Sequence, residues 1–341
     1  MPTSTNGPPL KRRRTEEELE DNLQMTEAVN ATPPVRSPEM WLDDGSVVLQ
    51  AENVQFRVHR TILARNSGIF RDLFMVPQPK GEPSLEDCPI VLLPDSAEDV
   101  KHMLVSLYDR SYSSTEAMPF KVAAAMIRMG RKYDIPHLLN GGLNRLISEF
   151  PSKLAEWEKL PPHYTHLVQE EGLLFDIVNL ALENNIQAIL PAAYYLCVQD
   201  LNDLLSGIKR SDGSIARLPS DVQRTCIIGR ERILQSQSQY TFAWVELMGT
   251  GEQVDCSLPQ VCTEIGNQLT KEIWIPLPDV SRTLEKWSSF ISLFPEMTDR
   301  ACPNCREDAR AIHESGRQRV WDMLPTFFDL PDWADLKNFE G

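Results

Sequence analysis

The sequence lacks the short motifs that identify common enzyme classes. No histidine belongs to an HExxH zinc motif, no Walker sequence is present, and no GxSxG, SxxK or Cys-His signature surrounds His59. Gly249-Thr250-Gly251 begins like a dinucleotide-binding loop, but no third glycine follows it. Because these chemistries need their residues at fixed spacings, the sequence predicts a protein that is not an enzyme, in which His59 packs as part of the scaffold.

Positive charge and long apolar runs are also scarce. The chain has 34 basic and 49 acidic residues and a formal net charge of −15, whereas a nucleic-acid-binding surface needs clustered Lys and Arg. No stretch approaches the roughly 20 apolar residues that span a bilayer, and the N-terminus lacks the apolar core of a secretory signal. We therefore expect a soluble intracellular protein with protein partners, which contacts neither membranes nor nucleic acid directly.

Residues 1–38 have little apolar content and are rich in Pro, Ser, Thr, Asn and Glu. Such a composition cannot bury enough surface to offset its ordering entropy, so we predict a disordered tail. Within it, Lys11, Arg12, Arg13 and Arg14 form a basic cluster that resembles a nuclear import signal. A chance charged patch is the alternative, and the cluster slightly favours the nucleus over the cytoplasm.

An α+β domain is predicted over residues 39–150. The segments 47–51 and 54–58 form a strand pair around the turn at Glu52-Asn53, and the second segment alternates apolar with polar residues. Ser67 and Ser96 stand where helix N-caps are expected. A small sheet packed against helices accounts for this order of elements.

The remaining residues, 151–341, carry helical apolar stripes and almost no strand signal. One stripe runs through Leu173, Ile177 and Leu180, and the polar segment 209–217 interrupts another. We predict a mostly α-helical C-terminal domain.

Cysteine is the one residue type whose spacing indicates chemistry. Cys302 and Cys305 have the two-residue spacing that lets both thiolates reach one zinc ion, and Cys256 and Cys262 are available as a second pair. Five residues separate the second pair, which lies outside the common spacing of two to four. The sequence leaves open a structural zinc site, four reduced thiols, or a local pair in a helix turn.

Residues 41–150 resemble a BTB/POZ domain. The resemblance rests on an alternating strand, a His-Arg pair and a helix pair, with these positions matching the family pattern: Phe56, His59, Arg60, Leu63, Ser67, Phe70 and Phe74. Later matches are Asp95-Ser96, Leu107-Tyr108, Lys132-Tyr133-Asp134 and Leu138. The opening Trp41–Gly45 segment, with the C-terminal CxxC at Cys302–Cys305, His313-Glu314 and Leu324–Phe328, is similar to the fungal type of BTB protein.

The resemblance implies a protein-interaction module that commonly homodimerises through its first strand and helix. It also implies a charged pocket at the dimer interface, in which Arg60 takes the basic place and Ser46 stands where an Asp is expected. Asp44 is two residues away and is a possible substitute for that carboxylate. Some family members recruit cullin-type ubiquitin ligases through an apolar-x-acid tripeptide, and Leu85-Glu86-Asp87 lies at the corresponding place.

Together these features predict a homodimerising BTB adaptor or scaffold without enzymatic activity. Two alternatives remain at this point. One is a nuclear transcription regulator that acts through protein partners, and the other is a substrate adaptor of a cullin-type ubiquitin ligase.

Overall fold

The structure is a computed structural model of the chain and describes residues 33–76, 83–109, 116–251, 255–276, 278 and 280–340. The chain forms two compact units, Met1–Val105 and Ser106–Gly341. The division between the units falls inside the predicted range 39–150. The predicted limit between the two domains at 150/151 therefore stays a prediction.

The first unit is built on a five-stranded sheet. Its strand order is β1-β3-β2-β5-β4, in which β2 and β3 pair antiparallel while β1 with β3 and β2 with β5 pair parallel. The strands are β1 Val35–Trp41, β2 Val47–Ala51, β3 Val54–Val58, β4 Ser84–Leu85 and β5 Cys88–Leu93. The helices are α1 Arg60–Asn66, α2 Gly68–Met75 and α3 Ala97–Tyr108, the last of which runs across the division between the units.

The hairpin of β2 and β3 confirms the strand pair that the sequence predicts over residues 47–51 and 54–58. Leu49 pairs with Phe56, and the side chains of both are buried. Glu52 takes a positive φ of 49° at the turn, as the first residue of a tight hairpin loop does. Burial of the alternating apolar side chains fixes the register, since a slip by one residue would turn them to the other face.

Strand β1 corrects the predicted limit of the disordered tail. It begins at Val35, so residues 35–38 are part of the sheet and not of a tail. Val35 pairs with Val54, and its backbone N–H donates to the carbonyl of Asn53 at 2.8 Å. Hydrogen bonds to a distant strand thus order a segment whose own composition gives no strand signal.

Two serine caps start helices where the sequence predicts them. The Ser67 hydroxyl accepts from the backbone N–H of Phe70 at 3.0 Å, at the start of α2. The Ser96 hydroxyl accepts from the N–H of Asp99 at 3.1 Å, at the start of α3. Each bond satisfies one of the N–H groups that the first helical turn leaves without a partner.

The second unit is mostly helical, which confirms the prediction for this region. A short antiparallel hairpin, β6 Ile208–Lys209 with β7 Ile215–Ala216, occupies the polar segment that interrupts the helical pattern. The helices are α4 Phe120–Lys132, α5 Pro136–Glu149, α6 Leu154–Trp157, α7 Leu173–Asn184, α8 Leu190–Cys197, α9 Leu201–Ser206, α10 Ser220–Ser236, α11 Ala243–Thr250, α12 Pro259–Trp274, α13 Trp287–Leu293, α14 Pro295–Asp299 and α15 Pro303–Phe327.

The long helix α15 packs against the π-helical turn Gln237–Thr241 that follows α10. The approach is close at Gly316, where an added Cβ would lie 2.4 Å from the Tyr240 carbonyl oxygen. Farther along α15, Trp321 and Leu324 are fully or almost fully buried. Within the described residues, no helix has the length and apolar content needed to cross a membrane.

Candidate functional site

The His-Arg pair lies at the corner between β3 and α1. His59 is the N-cap residue of α1, with extended φ and ψ of −91° and 122°. Across the corner, the Ser46 hydroxyl accepts from the backbone N–H of Arg60 at 3.0 Å, and the Ser46 N–H donates to the carbonyl of Val58 at 2.9 Å. Ser46 therefore closes the corner from both sides, in the manner of a helix-capping residue.

The guanidinium of Arg60 is balanced by the end of a helix. Its Nη2 donates to the carbonyl oxygen of Phe74 at 2.8 Å, and its Cζ lies 5.0 Å from the centre of the Phe74 ring. Phe74 belongs to the last turn of α2, where unpaired carbonyls carry the negative end of the helix dipole. The ring of Phe70 stacks on that of Phe74 with centroids 6.0 Å apart. Within the described residues, no carboxylate forms an ion pair with Arg60.

Asp44 pairs with His59, and not with Arg60. Its Oδ1 lies 3.2 Å from Nε2 of the imidazole, at an exposed place on the turn before β2. The hydrogen bond to His59 lowers the pKa of Asp44 below its usual value. The corner is thus held by a hydroxyl cap, a helix carbonyl and an exposed contact between the His59 imidazole and the Asp44 carboxylate.

The tripeptide Leu85-Glu86-Asp87 forms the turn between β4 and β5. Glu86 and Asp87 both have positive φ angles, of 51° and 62°. The Glu86 carboxylate accepts from two arginines of its own unit: Oε1 lies 2.6 Å from Arg36 Nη2 and Oε2 lies 2.9 Å from Arg57 Nη1. The middle residue of the tripeptide, Glu86, thus connects β1, β3 and the β4–β5 turn, while the acid of the motif, Asp87, is exposed.

An apolar face of α2 is open to solvent. The sequence groups Ile69 and Leu73 with Phe70 and Phe74 in one apolar stripe, but only Phe70 is fully buried. Ile69 and Leu73 are 47% and 41% exposed, and Met75 at the end of the helix is 71% exposed. Val76, which follows the helix, is 64% exposed. Periodicity identified these residues as apolar, although it could not tell which of them lack a covering element.

Four cysteines of the second unit converge on one point. The sulfur atoms of Cys256, Cys262, Cys302 and Cys305 all lie within 4.8 Å of one another, although 40 residues separate the second from the third. Cys256 is partly exposed and the other three are buried. The structure therefore brings together all four residues that the sequence marks as a possible metal site.

The acidities of these thiols differ. Burial raises the pKa of Cys262 and, with the neighbouring thiols, that of Cys305. Burial opposes ionisation of Cys302 as well, but hydrogen bonds from the backbone of Cys305 and Ser257 outweigh it and lower its pKa to about 6. The lowered pKa of Cys302 favours its thiolate form, which is the form that binds metals.

The basic cluster Lys11–Arg14 lies outside the described residues. Sequence reasoning missed two contacts in the first unit. One joins Arg60 to the carbonyl of Phe74, and the other joins Glu86 to two arginines. Both contacts join segments that are distant in the chain, so no local pattern gives a signal for them.

Comparison with known proteins bears on the sites of the first unit, the His-Arg corner and α2. Residues 42–147 match the BTB/POZ domain family. No curated protein matches the chain. The matched range begins next to β1 and ends in α5, and it contains the strand pair, the His-Arg corner and the open face of α2. The chain therefore contains a BTB/POZ domain, a protein–protein interaction module of a generally non-enzymatic family.

Proposed function

We propose that this protein is a non-enzymatic adaptor that homodimerises through its BTB/POZ domain. A dimer presents two copies of the helical C-terminal region, and two linked copies raise the avidity for a client without any new contact. The C-terminal motifs at Cys302–Cys305, His313-Glu314 and Leu324–Phe328 resemble those of fungal BTB proteins and favour that type.

The observation that carries the proposal is the open apolar face of α2 within the matched family range. Ile69 and Leu73, which lie one turn apart on the same side of α2, are 47% and 41% exposed, and Met75 and Val76 at the end of the helix are 71% and 64% exposed. A group of exposed apolar side chains of this kind marks interaction sites, while single exposed apolar residues are ordinary. The occupant that we propose is the same face of a second copy, because a two-fold interface uses one self-complementary patch on both subunits.

The edge strand β1 supports the same arrangement. Among the described residues β1 pairs with β3 alone in the sheet, so its other edge carries backbone groups that another chain can pair with. Val35 at its start is 60% exposed.

The test is the mass of the full-length protein in solution, measured by size-exclusion chromatography with light scattering over a range of concentrations. We expect a dimer for the wild type. Leu73→Asp should weaken it at least about 30-fold, because burying an unpaired charge costs more than about 2 kcal/mol. Leu205→Asp is the matched control, since Leu205 lies on α9 of the second unit and is 54% exposed.

A wild-type protein that stays monomeric at all concentrations would overturn the bivalent adaptor. A dimer that resists Leu73→Asp as well as Leu205→Asp would show that this face is not the interface.

A cullin-type ligase is an alternative partner of the adaptor. The acid of the apolar-x-acid tripeptide is Asp87, which is exposed, whereas Arg36 and Arg57 bind only the middle residue, Glu86. If a cullin binds here, Leu85→Ala should abolish its capture by the full-length protein while the dimer persists. A nuclear regulator acting through protein partners would use the same dimer. It differs from the adaptor in that its entry into the nucleus would depend on the basic cluster at residues 11–14.

A further inference from the structure

We propose that Cys256, Cys262, Cys302 and Cys305 bind one structural zinc ion. Four sulfurs at about 2.3 Å from a tetrahedral zinc ion lie about 3.8 Å from one another. The sulfurs of Cys302 and Cys256 are 3.9 Å apart, and all pairs of the four lie within 4.8 Å. The cluster thus has the size and the ligand set of a four-thiolate zinc site.

Two helices begin at this site. Cys302 is the N-cap of α15 and Cys305 lies in its first turn, while Cys262 lies in the first turn of α12. The N-terminus of a helix carries the positive end of the helix dipole, which stabilises nearby negative charge. Since four thiolates and one divalent cation leave a net charge of −2, both helices face the site with the favourable end.

Backbone N–H groups supply the outer contacts that thiolate ligands need. The N–H of Cys305 points to the sulfur of Cys302 at 3.4 Å, and the N–H of Cys302 points to the sulfur of Cys262 at 3.4 Å. Such outer partners orient the ligands and tune the metal in known sites. Helix starts provide these donors without any further side chain, because their first N–H groups have no partner within the helix.

The wide spacing between Cys256 and Cys262 follows from the local fold. Cys256 lies in the segment before α12, and the helix begins at Pro259, so Cys262 reaches back toward the same point from its first turn. The side-chain amide of Asn304, between the two cysteines of the other pair, donates to the carbonyl of Asp255 at 2.8 Å. The segment that carries Cys256 is therefore attached directly to the segment that carries Cys302 and Cys305.

The geometry disfavours the other interpretations. A disulfide joins two sulfurs at about 2.05 Å, whereas the two sulfurs of Cys256 and Cys302 are 3.9 Å apart and all four cysteines are free. The remaining cysteines, Cys88, Cys197 and Cys226, take no part in this cluster.

All four coordination positions of the proposed ion are filled by protein. No position stays open for water or substrate, so the site stabilises structure and performs no catalysis. Cys262, Cys302 and Cys305 belong to the apolar core that also holds Trp244 and Phe290. The ion would hold the starts of α12 and α15 together at the edge of that core, and its binding free energy would add to the stability of the fold.

The test is the metal content of full-length protein purified without chelators, by elemental analysis and native mass spectrometry. We expect one zinc ion per chain in the wild type and in Cys88→Ser, and none in Cys302→Ser or Cys305→Ser. Cys88 is the matched control because it is buried and donates only to the Gly45 carbonyl, at 3.2 Å, a bond that serine can keep.

A measurement on the wild type alone covers the case in which the cysteine variants fail to fold. Titration with a mercurial reagent in the presence of a zinc-sensitive dye should release one zinc ion as the thiols are modified, and replacement of zinc by cobalt should give the absorption bands of a tetrahedral four-thiolate complex. Native protein with no bound zinc and four freely labelled thiols would overturn the proposal. So would iron in place of zinc, or zinc retained in full by both Cys302→Ser and Cys305→Ser. None of these outcomes depends on whether the protein dimerises.

Discussion

Acidification should destabilise the second unit through one histidine, His313 of α15. Its side chain is fully buried, and its ring lies among those of Phe242, Trp287 and Phe290 with centroids 5.2 to 5.7 Å apart. Nε2 lies 2.8 Å from the carbonyl oxygen of Glu285, so the neutral imidazole donates there. Within the described residues Nδ1 has no hydrogen-bond partner, and a second N–H at this atom would be buried without an acceptor.

These surroundings lower the pKa of His313 to about 4. Burial is the main cause, and the hydrogen bond to the Glu285 carbonyl opposes it. The positive charges of Arg317 and Arg282 add to the lowering, while Glu314 acts in the other direction. In the unfolded chain the imidazole is solvated, and its pKa returns to the usual 6.5.

The sign of the effect follows from these two values. Below pH 6.5 the unfolded chain binds a proton that the folded chain does not, so protonation favours unfolding. The contribution of His313 is complete above that pH and is lost as the pH falls toward 4. The loss in unfolding free energy is about 2 kcal/mol at pH 5 and about 3 kcal/mol at pH 4.

The assay is urea unfolding of wild type and His313→Gln at several pH values, followed by tryptophan fluorescence. Six of the seven tryptophans lie in the second unit, and Trp287 is packed against His313 itself. The glutamine amide can still donate to the Glu285 carbonyl but does not titrate. Groups that titrate elsewhere, including the cysteine cluster, affect both proteins equally. The wild type should therefore lose about 2 kcal/mol more than the variant between pH 7 and pH 5. Parallel pH profiles of the two proteins would refute the assignment of a buried, neutral His313.

Other perturbations follow from single contacts. Gly266→Ala should cost about 1 to 3 kcal/mol in thermal or urea unfolding, because its Cβ would lie 2.4 Å from the backbone nitrogen of Gly249. Gly249→Ala, whose nearest neighbour would be at 3.4 Å, should be neutral or stabilising, and equal losses for the two would contradict this packing of α11 on α12. Ser46→Ala should cost about 1 kcal/mol in chemical unfolding, since the N–H of Arg60 loses its acceptor, and an unchanged midpoint would show that water replaces the hydroxyl. Deletion of residues 11–14 should move a fluorescent fusion of the protein out of the nucleus, and an unaltered distribution would leave the basic cluster without that role.

Local patterns predicted the parts of the fold that depend on neighbouring residues. The alternation from Val54 to Val58, the turn at Glu52 and the serine caps involve residues within a few positions of one another, so the sequence alone identifies them. Strand β1 escaped notice because its segment includes Pro38 and shows no alternation. It exists through parallel pairing with β3, which no local pattern encodes.

The cysteine cluster, too, could be predicted only in part from local sequence spacing. The two-residue spacing of Cys302 and Cys305 singles out this pair, because it is the spacing at which both thiolates reach one ion. The pair Cys256 and Cys262 fails the usual rule for spacing and is nevertheless close in space. The rule assumes a short loop between ligands, whereas here a helix start at Pro259 brings the second sulfur back to the first.

The corner at His59 and Arg60 shows how the family charge pair can be replaced without loss of the turn. A carboxylate at position 46 would neutralise Arg60 directly, but Ser46 carries no charge, and its hydroxyl accepts from the backbone N–H of Arg60. The positive charge is instead met by the carbonyl end of α2 and the ring of Phe74. Since Arg60 is thus tied to the helix that carries Leu73 and Met75, its structural role is to hold that helix against the corner. The proposed interface therefore rests on the exposed apolar side chains of α2 and not on the charged pocket that the resemblance implies.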